Sequence, residues 1–255
     1  MPAKWVHRYE LKPGRWVFNP SPESRAEGAG VKALVEGHWK APAYYYHLRS
    51  GGHVAALRRH TKHLYFLKAD IANFFGSISR SRLSRTLKEY VGHAQALSMA
   101  TASTVRNPKD ATKTFLPYGF VQSPVLASLV LHKSGLGSFL DAIHKDRKLA
   151  VTVYVDDIII SGNDLNRLEA LREQLKLRMT KSGFTLALNK SLAPATAIAA
   201  FNIELAAGEA LAIVEKRFLE LKELVASSDS ESQRAGLLGY VRSVNQDQAD
   251  SIGLA

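Results

Sequence analysis

Apolar residues along this chain group into short runs, and the most informative run is interrupted by two carboxylates. Residues 149–162 read LAVTVYVDDIIISG. β-Branched and aromatic residues flank Asp156 and Asp157, a composition that favours two short strands joined at the acidic pair. The pattern predicts a buried β-hairpin with both carboxylates at its tip, where adjacent negative charges either raise a pKa or bind a cation. A solvated Asp-Asp turn is the alternative interpretation of this run taken alone.

The region after this hairpin carries the clearest helical repeat. Its apolar residues recur at intervals of three and four, and they are Leu165, Leu168, Leu171, Leu175 and Met179. Asn163 or Asp164 is the predicted cap of this helix, and Gly183 is its predicted end. Residues 184–188 then alternate as a strand. A small hairpin around Gly208 and two C-terminal helices complete the prediction for this half of the chain.

Upstream of the hairpin, apolar runs again end in polar residues. An apolar strand carries Asp70 near its end, and Ser79 or Ser81 is the predicted cap of the helix that follows. Residues 83–112 favour one or two helices with a polar break. The segment FLPYGFVQSPVLASLVL, residues 115–131, predicts a Pro/Gly loop leading into a helix with Ser123 as its cap and Pro124 as its first residue.

The N-terminal part of the chain lacks a sustained period of two or 3.6 residues. Residues 1–42 hold five of the nine Pro residues and are predicted to form a basic N-terminal arm, irregular with short helical pieces. Its aromatic residues either stack on bases or anchor the arm, and anchoring is favoured; they are Trp5, Tyr9, Trp16 and Phe18. Residues 43–57 favour two strands around a Gly-Gly turn, with Arg49 and His53 beside it.

Composition narrows the class of protein. A chain of 255 residues with 46% hydrophobic content can bury a substantial core in one or two domains. Without Cys it has no disulfide, thiolate zinc site or Cys nucleophile. No apolar run approaches the roughly 20 residues that span a bilayer, and the first residues lack the apolar core of a signal peptide. We therefore expect a cytoplasmic protein without a membrane partner.

The charge of the chain predicts a polyanionic partner. The formal net charge is +11, and residues 1–65 hold eleven Lys or Arg against four Glu and no Asp. Clustered cations gain affinity for phosphate backbones by releasing counterions, so nucleic acid is the favoured partner. Membrane lipid, or a basic surface that is merely solvated, are the alternatives.

Several motifs, taken in order, resemble those of reverse transcriptases, and closely those of the bacterial group with retron, group II intron and abortive-infection or defence-associated enzymes. The similar segments are DIANFF at 70–75 (motif A), LPYGFVQSP at 116–124 (motif B), YVDD at 154–157 (motif C), GFTLALNKS at 183–191 (motif D), AFNIEL at 200–205 (the primer-grip motif E) and GYVRSVNQ at 239–246 (thumb). The order and spacing make the resemblance specific, whereas a lone Tyr-x-Asp-Asp would not be.

The resemblance implies an α+β fold of the right-hand polymerase type. Residues 43–205 would form fingers and palm, an antiparallel sheet with helices on one face, and residues 206–255 a compact α-helical thumb. The implied activity is that of an RNA-directed DNA polymerase. Its partners would be deoxynucleotides, an RNA template or structured noncoding RNA, the DNA product, and a companion protein or a second copy of the chain.

The resemblance also implies the catalytic residues. Asp70 and Asp156 would bridge two Mg²⁺ ions, with Mn²⁺ as a substitute, because two-metal sites stabilise the attacking and the leaving oxygen of an in-line displacement. Asp157 would be a weaker or outer ligand, and Ile71 completes the metal set. Lys190 would neutralise or protonate the leaving pyrophosphate, with an ordinary surface lysine as the alternative.

Other residues are assigned to substrates by the same resemblance. Phe75 would lie under the incoming sugar and exclude a 2′-hydroxyl, which implies deoxynucleotides. The remaining nucleotide-binding candidates are Arg49, Asn73, Phe74, Tyr118, Gly119, Gln122 and Lys190, and the template and primer candidates are Phe120, Ser123, Pro124, Tyr154, Phe201 and Asn202.

Departures from the family pattern limit what the resemblance implies about substrates. Tyr118 stands where many relatives have Gln, Gln122 where a small residue is usual, and Asn202 where Gly is common. Val54 occupies the place of a second triphosphate-binding Arg, for which Arg58, Arg59 or Lys62 would have to substitute. Template and primer use are therefore the least determined properties.

Three alternatives to RNA copying stay open on the sequence. Resemblance to the defence group favours antiphage cDNA synthesis, but it permits protein priming, template-independent addition or synthesis directed by the protein itself. The residues 44–46, all Tyr, are conceivable primers, although packing in a strand is the favoured role. A nucleic-acid-binding scaffold without catalysis is the other class, and the retained carboxylates argue against it, because negative charge does not serve to bind phosphates.

Overall fold

The computed structural model describes residues 4–253, which form a sheet-centred domain flanked by helices. The strands are β1 (Trp5–Lys12), β2 (Arg15–Pro20), β3 (Tyr65–Ala72), β4 (Val105–Asn107), β5 (Asp110–Phe115), β6 (Leu149–Tyr154), β7 (Asp157–Gly162), β8 (Thr185–Leu186), β9 (Leu192–Ala195), β10 (Ala197–Ala200), β11 (Ile203–Ala206) and β12 (Ala212–Ile213). The helices are α1 (Pro22–His38), α2 (Gly52–Arg58), α3 (Arg80–Val91), α4 (His93–Ser103), α5 (Ser123–His132), α6 (Gly135–Lys145), α7 (Leu165–Lys181), α8 (Glu215–Ser227), α9 (Glu231–Val244) and α10 (Gln246–Gly253).

The central sheet is antiparallel and is built around β3. Strands β6, β7, β3 and β8 lie side by side in that order, and β9 also pairs with β3. Tyr154 on β6 lies opposite Asp157 on β7, and Asp157 in turn lies opposite Asp70 on β3. The predicted acidic hairpin is confirmed, and the strand register places the two acidic segments next to each other.

Alternation along the strands divides the core between the two faces of this sheet. Leu67, Ile71 and Ile160 face the main core, which they share with buried residues of α1 and of α3 to α7. Phe66 and Ile159 face a second core, formed with α2, the three-stranded sheet β10–β11–β12 and the helices α8 to α10. The predicted α+β class, with an antiparallel sheet and a helical C-terminal part, is confirmed.

The prediction of an irregular N-terminal arm is wrong. Strands β1 and β2 pair as a hairpin, and α1 continues for 17 residues. The Ser21 side chain caps α1, Pro22 occupies its first turn, and Val31 and Val35 are buried one turn apart. Of the Pro residues that suggested irregular structure, Pro13 lies at the hairpin turn and Pro22 at the helix start, where a fixed φ is favourable.

The aromatic residues of this hairpin mostly anchor it to the body of the protein. Phe18 is fully buried and packs edge-on against Phe115 at 6.0 Å between ring centroids. Trp5 and Trp16 pack against the same small cluster. Tyr9 is exposed. The anchoring interpretation is therefore confirmed for three of the four aromatic residues.

Residues 43–57 do not form the predicted pair of strands. They form a 3₁₀ turn at Tyr46–Leu48 and then α2, with Gly51 in the left-handed region at its start. Tyr44 and Tyr45 are buried against the edge of the sheet, where the Tyr44 carbonyl accepts from the Val153 amide at 2.7 Å. This segment pairs with the sheet through a single β-bridge between Tyr45 and Val153 and does not form a strand. The side chains of Tyr44 and Tyr45 pack into the main core.

Boundaries in the middle of the chain also differ from the prediction. The two expected helices α3 and α4 are present, but the polar break is the turn of the hairpin β4–β5. Ser79, as expected, caps α3. Ser123 is the first residue of α5 and not its cap; its hydroxyl donates to the Pro117 carbonyl at 2.7 Å. Helix α6 was not predicted.

The C-terminal half follows the prediction more closely. Asp164 caps α7, and the two C-terminal helices are present with a third after them. The strand expected over residues 184–188 is only two residues long, and the segment 199–205 is broken by a turn at Phe201 and Asn202. Between residues 4 and 253 no helix combines the length and apolar character needed to cross a membrane.

Candidate active site

The turn that joins β6 to β7 consists of Val155 and Asp156. Val155 has a φ of 58°, a left-handed conformation that is costly for a β-branched residue. Two hydrogen bonds of 3.0 Å from outside the hairpin hold the turn: the Val155 amide donates to His47 Nδ1, and the Ile71 amide donates to the Asp156 carbonyl. These contacts offset the strain and fix Asp156 beside the end of β3 that carries Asp70.

The acidic side chains lie in a partly desolvated environment. Burial, and then the charge of Asp70, raise the pKa of Asp156. Burial raises the pKa of Asp157 to about 6, against the opposing effect of Lys68. Lys190 Nζ lies 2.9 Å from Asp70 Oδ2, and this hydrogen bond raises the pKa of Lys190. The site therefore carries more negative charge than Lys190 neutralises.

The chemistry of this donor set fits a divalent cation. Asp70 and Asp156 line one cavity of about 340 Å³. Asp157 does not line it, and its Oδ1 lies 4.0 Å from Lys68 Nζ. Among residues 4–253 no group of three or more His, Asp or Glu is arranged to hold a metal, so an ion here would depend on the carboxylate pair and on substrate oxygens, the usual environment of Mg²⁺. The side chain of Ile71 is buried in the main core, which leaves only its backbone to face the cavity.

The same cavity is lined by the turn of the N-terminal hairpin. Lys12, Pro13, Gly14 and Arg15 form part of its wall. The Arg15 guanidinium lies over the Tyr118 ring, 4.3 Å from its centroid. Sequence reasoning missed these cations as site residues. The Pro-Gly pair signals a turn, but no local pattern indicates which surface the turn meets.

Some predicted nucleotide-binding residues gather at this cavity. Asn73, Tyr118 and Lys190 line it directly. Asn73 has a φ of 47°, a conformation that Asn tolerates better than most residues. Phe75 lies against Tyr118, with 4.7 Å between the ring centroids. The cavity therefore joins carboxylates, an amide and the Tyr118 ring at the end of β3, with Phe75 packed behind that ring.

Other predicted nucleotide-binding residues lie elsewhere. Phe74 is buried and packs on Phe184 in the main core. Gln122 is buried beneath α1 and α4, where its amide donates to Ser103 Oγ at 3.3 Å. The exposed Arg49 donates to a backbone carbonyl at 2.6 Å and does not line the cavity. All three have a polar or aromatic side chain of the kind that binds ligands, but each contacts other groups of the protein and not the cavity.

Comparison with protein families decides which fold family this is. Residues 28–230 match the model of a family described as reverse transcriptase (RNA-dependent DNA polymerase), which covers most of the chain. The chain belongs to the reverse transcriptase family. Comparison with curated proteins gives no match.

Solved structures of reverse transcriptases share the fold. The foamy viral protease-reverse transcriptase in complex with double-stranded DNA superposes with a TM-score of 0.54 and 15% identity, covering 93% of this chain and 35% of that one. Its complex with an RNA/DNA hybrid gives 0.51 and 15%, covering 100% and 31%. Telomerase from Candida albicans, with a fragment of telomeric RNA, gives 0.50 and 12%, covering 90% and 46%. The reverse transcriptase domain described here spans less than half the length of each.

In this reverse transcriptase domain, Gly119 serves the N-terminal hairpin. Its φ is +99°, and a Cβ atom at this position would overlap the Phe18 carbonyl oxygen. The Phe18 amide donates to the Tyr118 carbonyl at 2.9 Å, next to Gly119 in the chain. The absence of a side chain at Gly119 therefore allows the backbone of β2 to approach closely.

The predicted template and primer residues divide into two groups. Tyr154 and Phe201 lie together, with 5.2 Å between ring centroids, and His53 packs against both rings. Phe201 and Asn202 both have φ near 60°, so Asn202 supplies the left-handed turn for which Gly is common. Tyr240 on α9 completes this aromatic cluster.

The second group is built into the interior. Phe120 is buried in the cluster that holds the N-terminal hairpin, and Ser123 is fully buried. Pro124 lies half-buried in the first turn of α5, where its carbonyl accepts from Ser128 Oγ at 2.8 Å. These residues shape the loop before α5, and none of them lines the cavity.

A buried histidine links the acidic turn to α5. His47 Nδ1 accepts from the Val155 amide, so its Nε2 carries the proton and donates to Ser128 Oγ at 2.7 Å. Burial lowers the pKa of His47 to about 4, which keeps this neutral tautomer. Sequence reasoning missed His47, because a lone His beside three Tyr residues has no signal that distinguishes a core residue from a support of the site.

Acidification is expected to destabilise this domain through its buried histidines. Burial lowers the pKa of His47 to about 4 and that of His60 to about 3, whereas an unfolded His titrates near 6.5. Between these values the unfolded chain binds protons that the folded protein does not, so the contribution is complete above pH 6.5 and is lost as the pH falls. We expect the two histidines to cost about 5 kcal/mol between pH 7 and pH 4.5, and the opposite contribution of Asp157 to leave a net loss of about 3 kcal/mol in urea unfolding.

The raised pKa of Asp157 acts with the opposite sign, since its protonation below pH 6 favours the folded state. The measurement is therefore made on Asp157→Asn as well as on the unchanged protein. An unfolding free energy of Asp157→Asn that stays constant from pH 7 to pH 4.5 would contradict the assignment of neutral, buried histidines.

Proposed function

We propose that this domain synthesises DNA on an RNA template by two-metal nucleotidyl transfer. The observation that carries the proposal is the cavity lined by Asp70, Asp156, Tyr118 and Lys190. The hydrogen bond from the Ile71 amide to the Asp156 carbonyl holds the two acidic segments side by side. Membership of the reverse transcriptase family supports it. The geometry supplies paired oxygen donors, a cation and an aromatic surface, which suit nucleotidyl transfer from a deoxynucleotide to a base-paired primer end.

In the proposed reaction a primer 3′-oxygen bonds to the α-phosphorus of a deoxynucleotide, and the bond from that phosphorus to the β-phosphate oxygen breaks, releasing pyrophosphate. Bound Mg²⁺ ions would stabilise charge on the attacking and leaving oxygens. Asp70 and Asp156 would hold the ions, and Asp157, turned toward Lys68, would support the turn. Lys190, which donates to Asp70, would neutralise or protonate the leaving group.

Nucleic acid, deoxynucleotides and divalent metal are the proposed partners. The solved relatives are complexes with double-stranded DNA, an RNA/DNA hybrid and a telomeric RNA fragment, and the net charge of +11 suits a phosphate backbone. Resemblance to the bacterial defence-associated group supports antiphage cDNA synthesis with a structured RNA, a companion protein or a second copy as partner. The cytoplasm is the proposed location on the sequence argument alone.

Phe75 is expected to select deoxynucleotides. It is buried against Tyr118, which lines the cavity, so a smaller side chain would open space for a 2′-hydroxyl beside Tyr118. We expect Phe75→Val to raise the ratio of ribonucleotide to deoxynucleotide kcat/KM by about tenfold to a hundredfold, measured by single-nucleotide primer extension. Phe74→Val is the matched control, because Phe74 is buried in the same core as Phe75 but packs on Phe184, whereas Phe75 packs on Tyr118. Equal ratios for both variants would show that Phe75 does not act on the sugar.

The test of the function is primer extension by the purified domain. A primed RNA template, four deoxynucleotides and Mg²⁺ should give products complementary to the template, and chelation by EDTA should stop synthesis. Products that ignore the template sequence would instead establish template-independent or protein-directed addition. Labelled nucleotide attached to the protein would establish protein priming, for which the buried Tyr44 and Tyr45 are poorly placed. RNA binding without synthesis under any primer condition would establish a scaffold.

A further inference from the structure

The acidic turn has a conformation that its own residues do not favour. Val155 and Asp156 are the two residues between β6 and β7, and Val155 has a φ of 58°. A two-residue hairpin turn with a positive φ at its first position usually has Gly there, because Gly adopts this conformation without strain. A β-branched residue in that place has to be held by contacts from outside the hairpin.

One of these contacts comes from a side chain. The Val155 amide donates to His47 Nδ1 at 3.0 Å, so the ring proton lies on Nε2, which donates to Ser128 Oγ at 2.7 Å. Ser128 Oγ passes its own proton on to the Pro124 carbonyl at 2.8 Å. The three hydrogen bonds therefore run in one direction, from the acidic turn through His47 to the first turns of α5.

The start of α5 also carries the loop that forms another wall of the cavity. Tyr118 lies in this loop and lines the cavity together with Asp156. Ser123, the first residue of α5, donates to the Pro117 carbonyl at 2.7 Å, next to Tyr118 in the chain. His47 thus joins two walls of the cavity that come from separate elements, the acidic turn and the loop before α5.

Packing alone does not require a histidine at this position. The His47 ring lies against Tyr45 and Tyr154, with 5.9 and 5.8 Å between ring centroids. An apolar side chain would fill this space without the cost of removing a polar group from water. Both ring nitrogens are instead used in hydrogen bonds, and these bonds distinguish His47 from a residue that only fills the core.

We propose that His47 and Ser128 are a positioning pair for the reaction, which fixes Asp156 relative to Asp70 and to the Tyr118 wall. The inference rests on the proposed function, because it concerns the placement of a metal-binding carboxylate. Neither His47 nor Ser128 lines the cavity, so their effect passes through the turn. Without the acceptor at His47, the turn would relax toward negative φ and carry Asp156 away from Asp70.

The test compares variants of His47 that differ in the acceptor. His47→Phe keeps an aromatic ring and has no acceptor, whereas the amide oxygen introduced by His47→Asn can accept from the Val155 amide. We expect His47→Phe to lower kcat of single-nucleotide primer extension by about tenfold to a hundredfold, with KM for the deoxynucleotide within about threefold. His47→Asn should recover part of this loss. His144→Phe is the matched control, because His144 is an exposed histidine that packs on Tyr44, and it should change neither constant.

Two further measurements examine the link itself. Binding of Mn²⁺ without nucleotide, measured by electron paramagnetic resonance, reports the placement of the carboxylates without synthesis, and we expect His47→Phe to weaken it by about tenfold. Ser128→Ala removes the partner of His47 Nε2 and should lower kcat by about threefold to tenfold. Combined with His47→Phe it should cause no further loss, because both residues act through one chain of hydrogen bonds.

Each outcome separates the inference from the proposed function. Unchanged kcat and Mn²⁺ affinity in a folded His47→Phe protein would overturn the inference, while synthesis by the unchanged protein would still support the function. Equal losses for His47→Phe and His47→Asn would also overturn it, because the acceptor would then be irrelevant. Mn²⁺ affinity that depends on His47 in a protein that makes no DNA would support the positioning pair and count against the polymerase. Should His47→Phe fail to fold, Ser128→Ala decides, and an unchanged kcat in that variant would overturn the inference.

Discussion

Replacing Asp156 and Asp157 together by alanine is expected to abolish primer extension, with a loss of at least about a thousandfold in rate. Asp156 is one of the two carboxylates that line the cavity, and the Ile71 hydrogen bond fixes its backbone beside Asp70. Without it, Asp70 would be the remaining carboxylate, already paired with Lys190. The measurement is single-turnover incorporation in Mg²⁺. Asp229→Ala, which changes an exposed carboxylate between α8 and α9, should leave the rate unchanged.

The same carboxylates are expected to lower the free energy of unfolding of the metal-free protein. Because burial raises the pKa of Asp157 to about 6, its neutral form favours folding, and that contribution is lost as the pH rises through 6. Asp157→Asn should therefore raise the free energy of unfolding by about 1 kcal/mol at pH 8 and by less at pH 5. Loss of activity together with a lower stability in both variants would indicate a structural defect and would contradict the assignment of Asp156 and Asp157 to chemistry.

Replacing Gly119 by alanine is expected to lower the free energy of unfolding by about 3 kcal/mol and to detach the N-terminal hairpin. Two effects combine: a φ of +99° strains any residue with a Cβ, and the added atom would overlap the Phe18 carbonyl oxygen. Relief requires the backbone of β2 to move, which breaks the hydrogen bond from Phe18 to Tyr118. Urea unfolding measures the loss of stability, and amide hydrogen exchange of residues 5–20 measures the detachment of the hairpin.

Gly208→Ala is the matched control for this prediction. Its φ is +77°, but no atom lies within 4 Å of the position that a Cβ would take. It carries the conformational cost alone, about 1 kcal/mol. Equal losses of stability for the two variants, with unchanged protection of the hairpin, would show that Gly119 is required for its conformation and not for contact with β2.

Local patterns in the sequence were sufficient to predict the elements that carry the acidic residues. The acidic hairpin, the strand that ends near Asp70 and the helix α7 with its Asp164 cap are all found. Strand alternation, helical repeats and capping residues each depend on neighbours in the chain, so they are readable without the fold. That Asp70 would lie beside Asp156 was implied by the resemblance to reverse transcriptases, whereas the pairing of Asp70 with Asp157 is known only from the strand register.

Other parts of the site depended on surfaces that meet only in the folded protein. Gln122 and Phe74 have side chains that suit a ligand, yet both are buried, because their neighbours come from distant helices. Residues 43–57 have strand-like composition but pack as a turn and a helix, since tertiary burial outweighs weak local preference. His47 supports Val155 across 108 positions of the chain, a relation that no sequence window contains.

By itself, the sequence determined the fold class, the acidic hairpin and the family, because these depend on residue type, period and the order of motifs. The tertiary structure decided which side chains face the cavity. It placed the tip of an N-terminal hairpin, predicted to be an irregular arm, against Asp70 and Asp156, and it used Gly119 to seat that hairpin. The physical reason is that a local pattern specifies which element forms, whereas the position of that element depends on long-range contacts that the pattern does not encode.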